Sequence, residues 1–201
     1  MRYLFLCLVA VMSLAARVTQ AEPHTIFLLD VSGSMEFPVA NEKRIDIAKS
    51  ALVETLATSR YSGSELIMWN TGKLQESFGT GPQLTDDILA APKGDSGSYL
   101  GSALLSISDA GHRCSHIVFV TDEYPDDART FRQAIDRLLT PSGQNAVTVY
   151  VVKHPESYYY ADRFAAVSGH ERYRVIDGSH QISLAGYLEQ NPVTDTCGML
   201  F

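Results

Sequence analysis

The sequence predicts an α/β fold, a doubly wound and mostly parallel open sheet flanked by helices, with one antiparallel edge strand. Three observations carry this expectation. Two runs, Thr25-Ile26-Phe27-Leu28-Leu29 and Ile117-Val118-Phe119-Val120, are wholly apolar and lead into Asp30 and Thr121-Asp122. Such runs mark strands buried on both faces, as in parallel sheets. Stretches with apolar residues every three or four positions alternate with the strands, as in βα units. One strand pair alone is joined by a short turn, Thr71-Gly72, as in a hairpin.

Taken in order, His24 to Leu29 is the first strand. Ile45, Ala48, Leu52 and Leu56 share one helical face, so Arg44 to Thr58 is an amphipathic helix. Glu65 to Asn70 and Leu74 to Phe78 form the hairpin, and Thr85 to Ala90 is a short helix. Leu100, Ala103, Leu104 and Ile107 mark a helix that Gly111 stops. The strand Ile117 to Val120 follows, then a helix through Ala128, Phe131, Ile135 and Leu138 with Asp126 as its expected N-cap. Val147 to Val152 is a strand, Asp162 to Val167 a helix, Tyr173 to Ile176 a strand and Ile182 to Leu188 the last helix. Trp69, at a strand end, is expected in the core.

Composition narrows the setting. The chain has 201 residues, 45% of them hydrophobic and 19% charged, with a formal charge of −7. That is a folded rather than a disordered composition, and without a basic cluster it argues against nucleic acid as partner. Met1-Arg2, an apolar run from Tyr3 to Ala16, and Thr19-Gln20-Ala21 read as a signal peptide over 1–21, leaving a single domain over 22–201. The apolar run is short for a membrane span, so no transmembrane segment is expected after cleavage, and the product is secreted or periplasmic. Cleavage removes Arg2 and Arg17, which leaves 14 of the 16 basic residues against 23 acidic ones, a charge of −9. Cys114 and Cys197 then remain, and an even count in an exported chain suggests one disulfide, with two free thiols as the alternative.

The chemistry concentrates after the first strand. In open α/β sheets ligands bind beyond the carboxyl ends of the strands, where strand order reverses. Asp30 and Asp122 both fall there. Asp30-Val31-Ser32-Gly33-Ser34 offers a carboxylate and two hydroxyls at alternate positions, with Gly33 expected to permit the turn. Ser98, opening a helix, supplies a third hydroxyl, and Asp122 a second carboxylate. Hard oxygen donors of this kind suit magnesium, with manganese or calcium as alternatives, rather than zinc or copper. Taken alone, the same loop could be an ordinary capped helix start.

These residues resemble a known family. Phe27-Leu28-Leu29-Asp30-Val31-Ser32-Gly33-Ser34-Met35, Ser98-Tyr99-Leu100-Gly101-Ser102-Ala103-Leu104 and Val118-Phe119-Val120-Thr121-Asp122 look like the three segments of the metal ion-dependent adhesion site (MIDAS) of von Willebrand factor type A (VWA) domains. Phe164 to Gly169 and Asp177-Gly178 are similar to the family's tail, and the resemblance spans Thr25 to Gln190. It implies that Ser32 and Ser34 hold a divalent cation directly, that Ser98 does so directly or through water, and that Asp30 and Asp122 act through water and as hydrogen-bond anchors. Family members usually carry Thr where this chain has Ser98, which lacks the β-branch that fixes the rotamer. The implied function is non-enzymatic: a partner protein offers an acidic side chain to the open position of the cation. Lys153, His154, Tyr158 and Tyr159 follow a strand end on the same rim and are candidate partner contacts.

Three rivals stand beside this reading. Gly94-Asp95-Ser96-Gly97 matches the tetrapeptide around a trypsin-like nucleophile, but that family is all-β and the chain lacks an Ala-Ala-His-Cys-like segment. A magnesium-dependent phosphohydrolase with Asp30 as nucleophile usually has a second acid two positions on, where this chain has Ser32. The third is a structural subunit of a secreted or cell-envelope complex with a purely stabilising metal.

Overall fold

The computed structural model of the protein describes residues 24–61, 63–94, 96–180, 182–193 and 197, so the expected signal peptide over 1–21 lies outside the described residues. The chain runs β1 (Thr25–Asp30), a small ribbon of β2 (Pro38–Val39) and β3 (Glu42–Lys43), α1 (Arg44–Leu56), β4 (Ser64–Trp69), β5 (Lys73–Gly79), α2 (Gly81–Leu89) and α3 (Leu100–Asp109). It continues through β6 (His116–Thr121), α4 (Ala128–Leu138), β7 (Ala146–Val151), α5 (Ser157–Ala165), β8 (Tyr173–Asp177) and α6 (Leu184–Gln190). Six strands form one sheet in the order β5-β4-β1-β6-β7-β8. Within this sheet the β4–β5 pair alone is antiparallel, and β5 lies at the edge. Strand order reverses around β1, which places Asp30 and the β6 terminus side by side at the switch point.

Alternation along each strand divides the core. Ile26, Leu28 and Phe119 face Leu104, Phe131, Ile135 and Phe164 of α3, α4 and α5. Phe27, Leu29 and Met68 face Leu52, Ile88 and Leu188 of α1, α2 and α6. Trp69 is buried in the first of these layers. β1, β4, β6 and β7 are buried along their whole length, which is why β1 and β6 carry the two continuous apolar runs. Among the described residues, no helix is long and apolar enough to cross a membrane.

Several boundaries differ from expectation for identifiable reasons. α2 begins at Gly81, four residues before the expected Thr85, because Thr80 and Gln83 form a capping box; the Thr80 amide donates to Gln83 Oε1 at 2.9 Å. α5 begins at Ser157 rather than Asp162, so Tyr158 to Tyr160 lie in its first turn, where a run of three similar rings hides the helical period. The β2–β3 ribbon is too short to leave a periodic signal. Gly33 opens a short 3₁₀ turn and does not take a positive φ. Cys114 and Cys197 are joined as a disulfide across 83 positions, below the amino ends of the parallel strands.

Candidate metal centre

Three segments meet at the carboxyl end of the sheet. β1 ends on Asp30, whose side chain is fully buried. Its Oδ1 accepts the Ser32 amide at 2.8 Å, which folds the following loop back over the strand end. Its Oδ2 accepts the Ser98 hydroxyl at 3.1 Å and the Thr121 hydroxyl at 2.7 Å. Asp30 therefore ties together all three segments that the sequence singled out. The Ser32 and Ser34 hydroxyls lie 3.1 Å apart, and Ser34 donates to Asp122 Oδ1 at 2.9 Å.

The loops are locked to one another through the backbone. The Gly33 amide donates to Ser96 O at 2.7 Å, and the Tyr99 amide to Asn70 O at 2.8 Å. A Cβ on Gly94 would sit 1.9 Å from Ser32 O, so only glycine lets that strand of loop pass beneath the Asp30–Ser34 segment. Asp126 and Asp127 are the second layer. The Ser98 amide donates to Asp126 Oδ2 at 3.0 Å, and the Asp126 amide to Ser98 O at 2.9 Å. Asp127 accepts the Gly101 and Ser102 amides at 2.9 and 2.7 Å, satisfying the open amino end of α3. The expected role of Asp126 as N-cap of the following helix is thus corrected: the position belongs to Asp127, and both carboxylates serve the neighbouring Ser98 segment instead.

Two further residues act on Asp122. Arg44, the first residue of α1, places Nη1 2.6 Å from Asp122 Oδ2. His154 is buried, with Nε2 2.6 Å from Asp122 O, while the Glu156 amide approaches its Nδ1 at 3.3 Å. That pattern assigns the neutral tautomer with the proton on Nε2. Burial lowers the His154 pKa, in keeping with a neutral ring. His154 therefore orients Asp122 from within and is not available to touch a partner, contrary to expectation. Lys153, Tyr158 and Tyr159 are exposed.

Sequence reasoning did not single out Arg44, although a cation in the first turn of a helix opposes the helix dipole and signals another use. It also passed over Phe37 and Tyr99, which flank the Ser34 and Ser98 segments at 57% and 44% exposure.

The donor set suits a divalent cation. Three hydroxyls and two carboxylates converge, all hard oxygens. Burial first, and the charge of Asp122 second, push Asp30 up to about 7, against the hydrogen bonds from Thr121 and Ser32. Burial and Asp122 also raise Glu123 beside them. A cation at this point would offset the repulsion.

No protein-family model matches the chain, and no curated protein matches it by sequence. Solved structures do match. Manganese-loaded TRAP protein of Plasmodium vivax is 15% identical, with a TM-score of 0.58 over 87% of this chain and 75% of that one. VWA2, an ArnB paralog of Sulfolobus acidocaldarius, is 16% identical, with a TM-score of 0.50 over 77% and 41%. The chain has the von Willebrand factor type A fold. At these identities the likeness is one of VWA fold alone. The pilus adhesin SpaC of Lactobacillus rhamnosus GG shares it at 15% identity and a TM-score of 0.56, over 85% of this chain and 30% of that one. So does an aerotolerance-related membrane protein of Bacteroides fragilis, at 17% and 0.54, over 67% and 69%.

Proposed function

We propose that this VWA chain is an exported, metal-dependent protein-binding module that captures an acidic side chain of a partner protein. The observation that carries the reading is the convergence of Asp30, Ser32, Ser34, Ser98 and Asp122 at the switch point, with both carboxylates engaged by hydroxyls. Ser32, Ser34 and Ser98 would hold the cation, magnesium or its analogues manganese and calcium, and Asp30 and Asp122 would anchor these hydroxyls and its water. A cation held mainly by neutral hydroxyls stays electrophilic, and a partner carboxylate can complete its shell.

The surroundings support binding rather than catalysis. Phe37, Tyr99, Tyr158 and Tyr159 are exposed large rings on or near the rim, the residue type that anchors protein interfaces. Similar structures bear the names pilus adhesin, membrane protein and manganese-loaded protein, which favours a cell-envelope or extracellular role with a divalent ion.

The test is capture of partner protein from the source organism by immobilised protein, in magnesium and in chelator, with Asp30→Ala beside the native chain. Capture that needs magnesium and fails with Asp30→Ala is expected. Capture unchanged in both arms overturns the reading. A chelator-induced fall in melting temperature with capture intact would favour a stabilising metal in a structural subunit. Magnesium-dependent phosphatase turnover would favour the phosphohydrolase.

A further inference from the structure

At the opposite end of the sheet, three side chains from three segments converge. His24 precedes β1, Glu65 is the second residue of β4, and His112 lies in the loop between α3 and β6. One ligand atom from each lies within 4.8 Å of the others. His112 Nε2 is 3.9 Å from Glu65 Oε2, and the two imidazoles stack with centroids 6.0 Å apart. The register explains the meeting: Glu65 pairs with Ile26, so it shares a face with His24 two residues before, on the side where α3 ends at Asp109.

Glu65 is the unusual member. It is fully buried, neither carboxylate oxygen makes a well-formed hydrogen bond, and its polar neighbours are the His112 imidazole and the Glu76 carboxyl. A buried carboxylate faced only by a distant imidazole and a second carboxyl is costly, and proteins pair such groups more fully or give them to metals. The nearest charged neighbour on β5, Glu76, is itself acidic and is ion-paired with Lys73. The buried carboxylate and its acidic neighbour both favour a cation.

The two histidines are held in place by groups that need no metal. The His116 amide donates to His24 O at 2.9 Å. Buried Asn145 donates to His112 O at 3.1 Å and accepts the Ser115 amide at 3.0 Å. The disulfide at Cys114 fixes the same loop two residues further on.

We propose that His24, Glu65 and His112 form a second metal site, for zinc(II) or an ion of similar softness, separate from the oxygen-only centre at the other end. Two imidazole nitrogens and one carboxylate suit zinc rather than magnesium or calcium, and three protein ligands leave a fourth position open. Tetrahedral ligands about 2.1 Å from zinc lie ~3.4 Å apart, so closure takes up to roughly 1.4 Å. The partly exposed imidazoles can supply it.

The test titrates zinc chloride into the purified protein in magnesium-saturated buffer, by calorimetry, with cobalt(II) absorption as a spectroscopic readout. Native protein and Asp30→Ala should bind one zinc per chain with equal affinity and give the cobalt band. His24→Ala and His112→Ala should weaken zinc at least tenfold and lose the band, with unchanged circular dichroism. Glu65→Gln should do the same; should it fail to fold, the histidine variants decide alone. No zinc bound by native protein, zinc retained by both histidine variants, or zinc lost in Asp30→Ala instead, would each overturn the site.

Discussion

At the scale of single residues, Arg44 and His154 set the state of Asp122. Arg44 Nη1 sits on Oδ2, and its side chain keeps 16% exposure against none for Asp122. A guanidinium there neutralises one carboxylate of the centre and competes with a metal for it. Arg44→Gln is expected to lower stability in chelator by about 1–3 kcal/mol, less than for a fully buried pair because Arg44 stays partly solvated. The same change should tighten magnesium by about 1 kcal/mol, roughly fivefold, by removing a cation at short range. Urea denaturation and calorimetry check the two halves separately. His154→Leu strands the Asp122 carbonyl, at a cost of about 1–3 kcal/mol, and should weaken the metal; His154→Gln keeps a donor and should recover most of both. Equal loss in Leu and Gln variants would mean that ring packing, not the hydrogen bond, is what Asp122 needs.

At the scale of elements, the centre depends on how closely α3 approaches α4. A Cβ on Gly101 would lie 2.2 Å from the Phe131 amide, and the Gly101 amide itself is held by Asp127. In an isolated helix Gly101→Ala would help by about 1 kcal/mol. Here the backbone clash should reverse the sign, destabilising by about 1–3 kcal/mol or more and loosening Ser98 three residues before it. Chemical denaturation reads the first effect and metal titration the second; a stabilised variant would show that the helices can part at no cost. The three MIDAS-like segments were legible because each lies beside a strand or helix end with a strong pattern. The clamp from Asp126 and Asp127 was not, because an Asp before a helix reads as that helix's own cap whichever helix it serves.

At the scale of the whole molecule, buried titratable groups couple stability to pH. His116 is buried beside Thr148, and burial, with Arg174 and Arg60, lowers its pKa from 6.5 to about 3. Between those values the unfolded chain binds a proton that the folded chain does not. His116 therefore withdraws stability as pH falls below about 6.5, by about 1.4 kcal/mol per unit until its folded pKa is reached. Asp30 and Glu65, both raised to about 7, act in the opposite sense, since the folded chain holds their protons first as pH falls. The expectation is accordingly on a difference: native protein minus His116→Gln should lose stability steadily from pH 6.5 towards 3. A flat difference would mean that His116 is protonated in the folded state.

The sequence by itself determined the doubly wound sheet, its antiparallel edge, and the convergence of Asp30, Ser32, Ser34, Ser98 and Asp122, because burial on both faces and helical period are local patterns. Only the tertiary structure decided what depends on distance in space. It turned His154 inward, brought Arg44 onto Asp122 from 78 positions away, and buried Glu65 beside His24 and His112. It also gathered Arg129, Arg132 and Arg163 with Tyr124 around a cleft of about 670 Å³, where the linear sequence has no basic cluster. Periodicity is written along the chain, whereas the charge a side chain meets is set by which elements the sheet order makes neighbours.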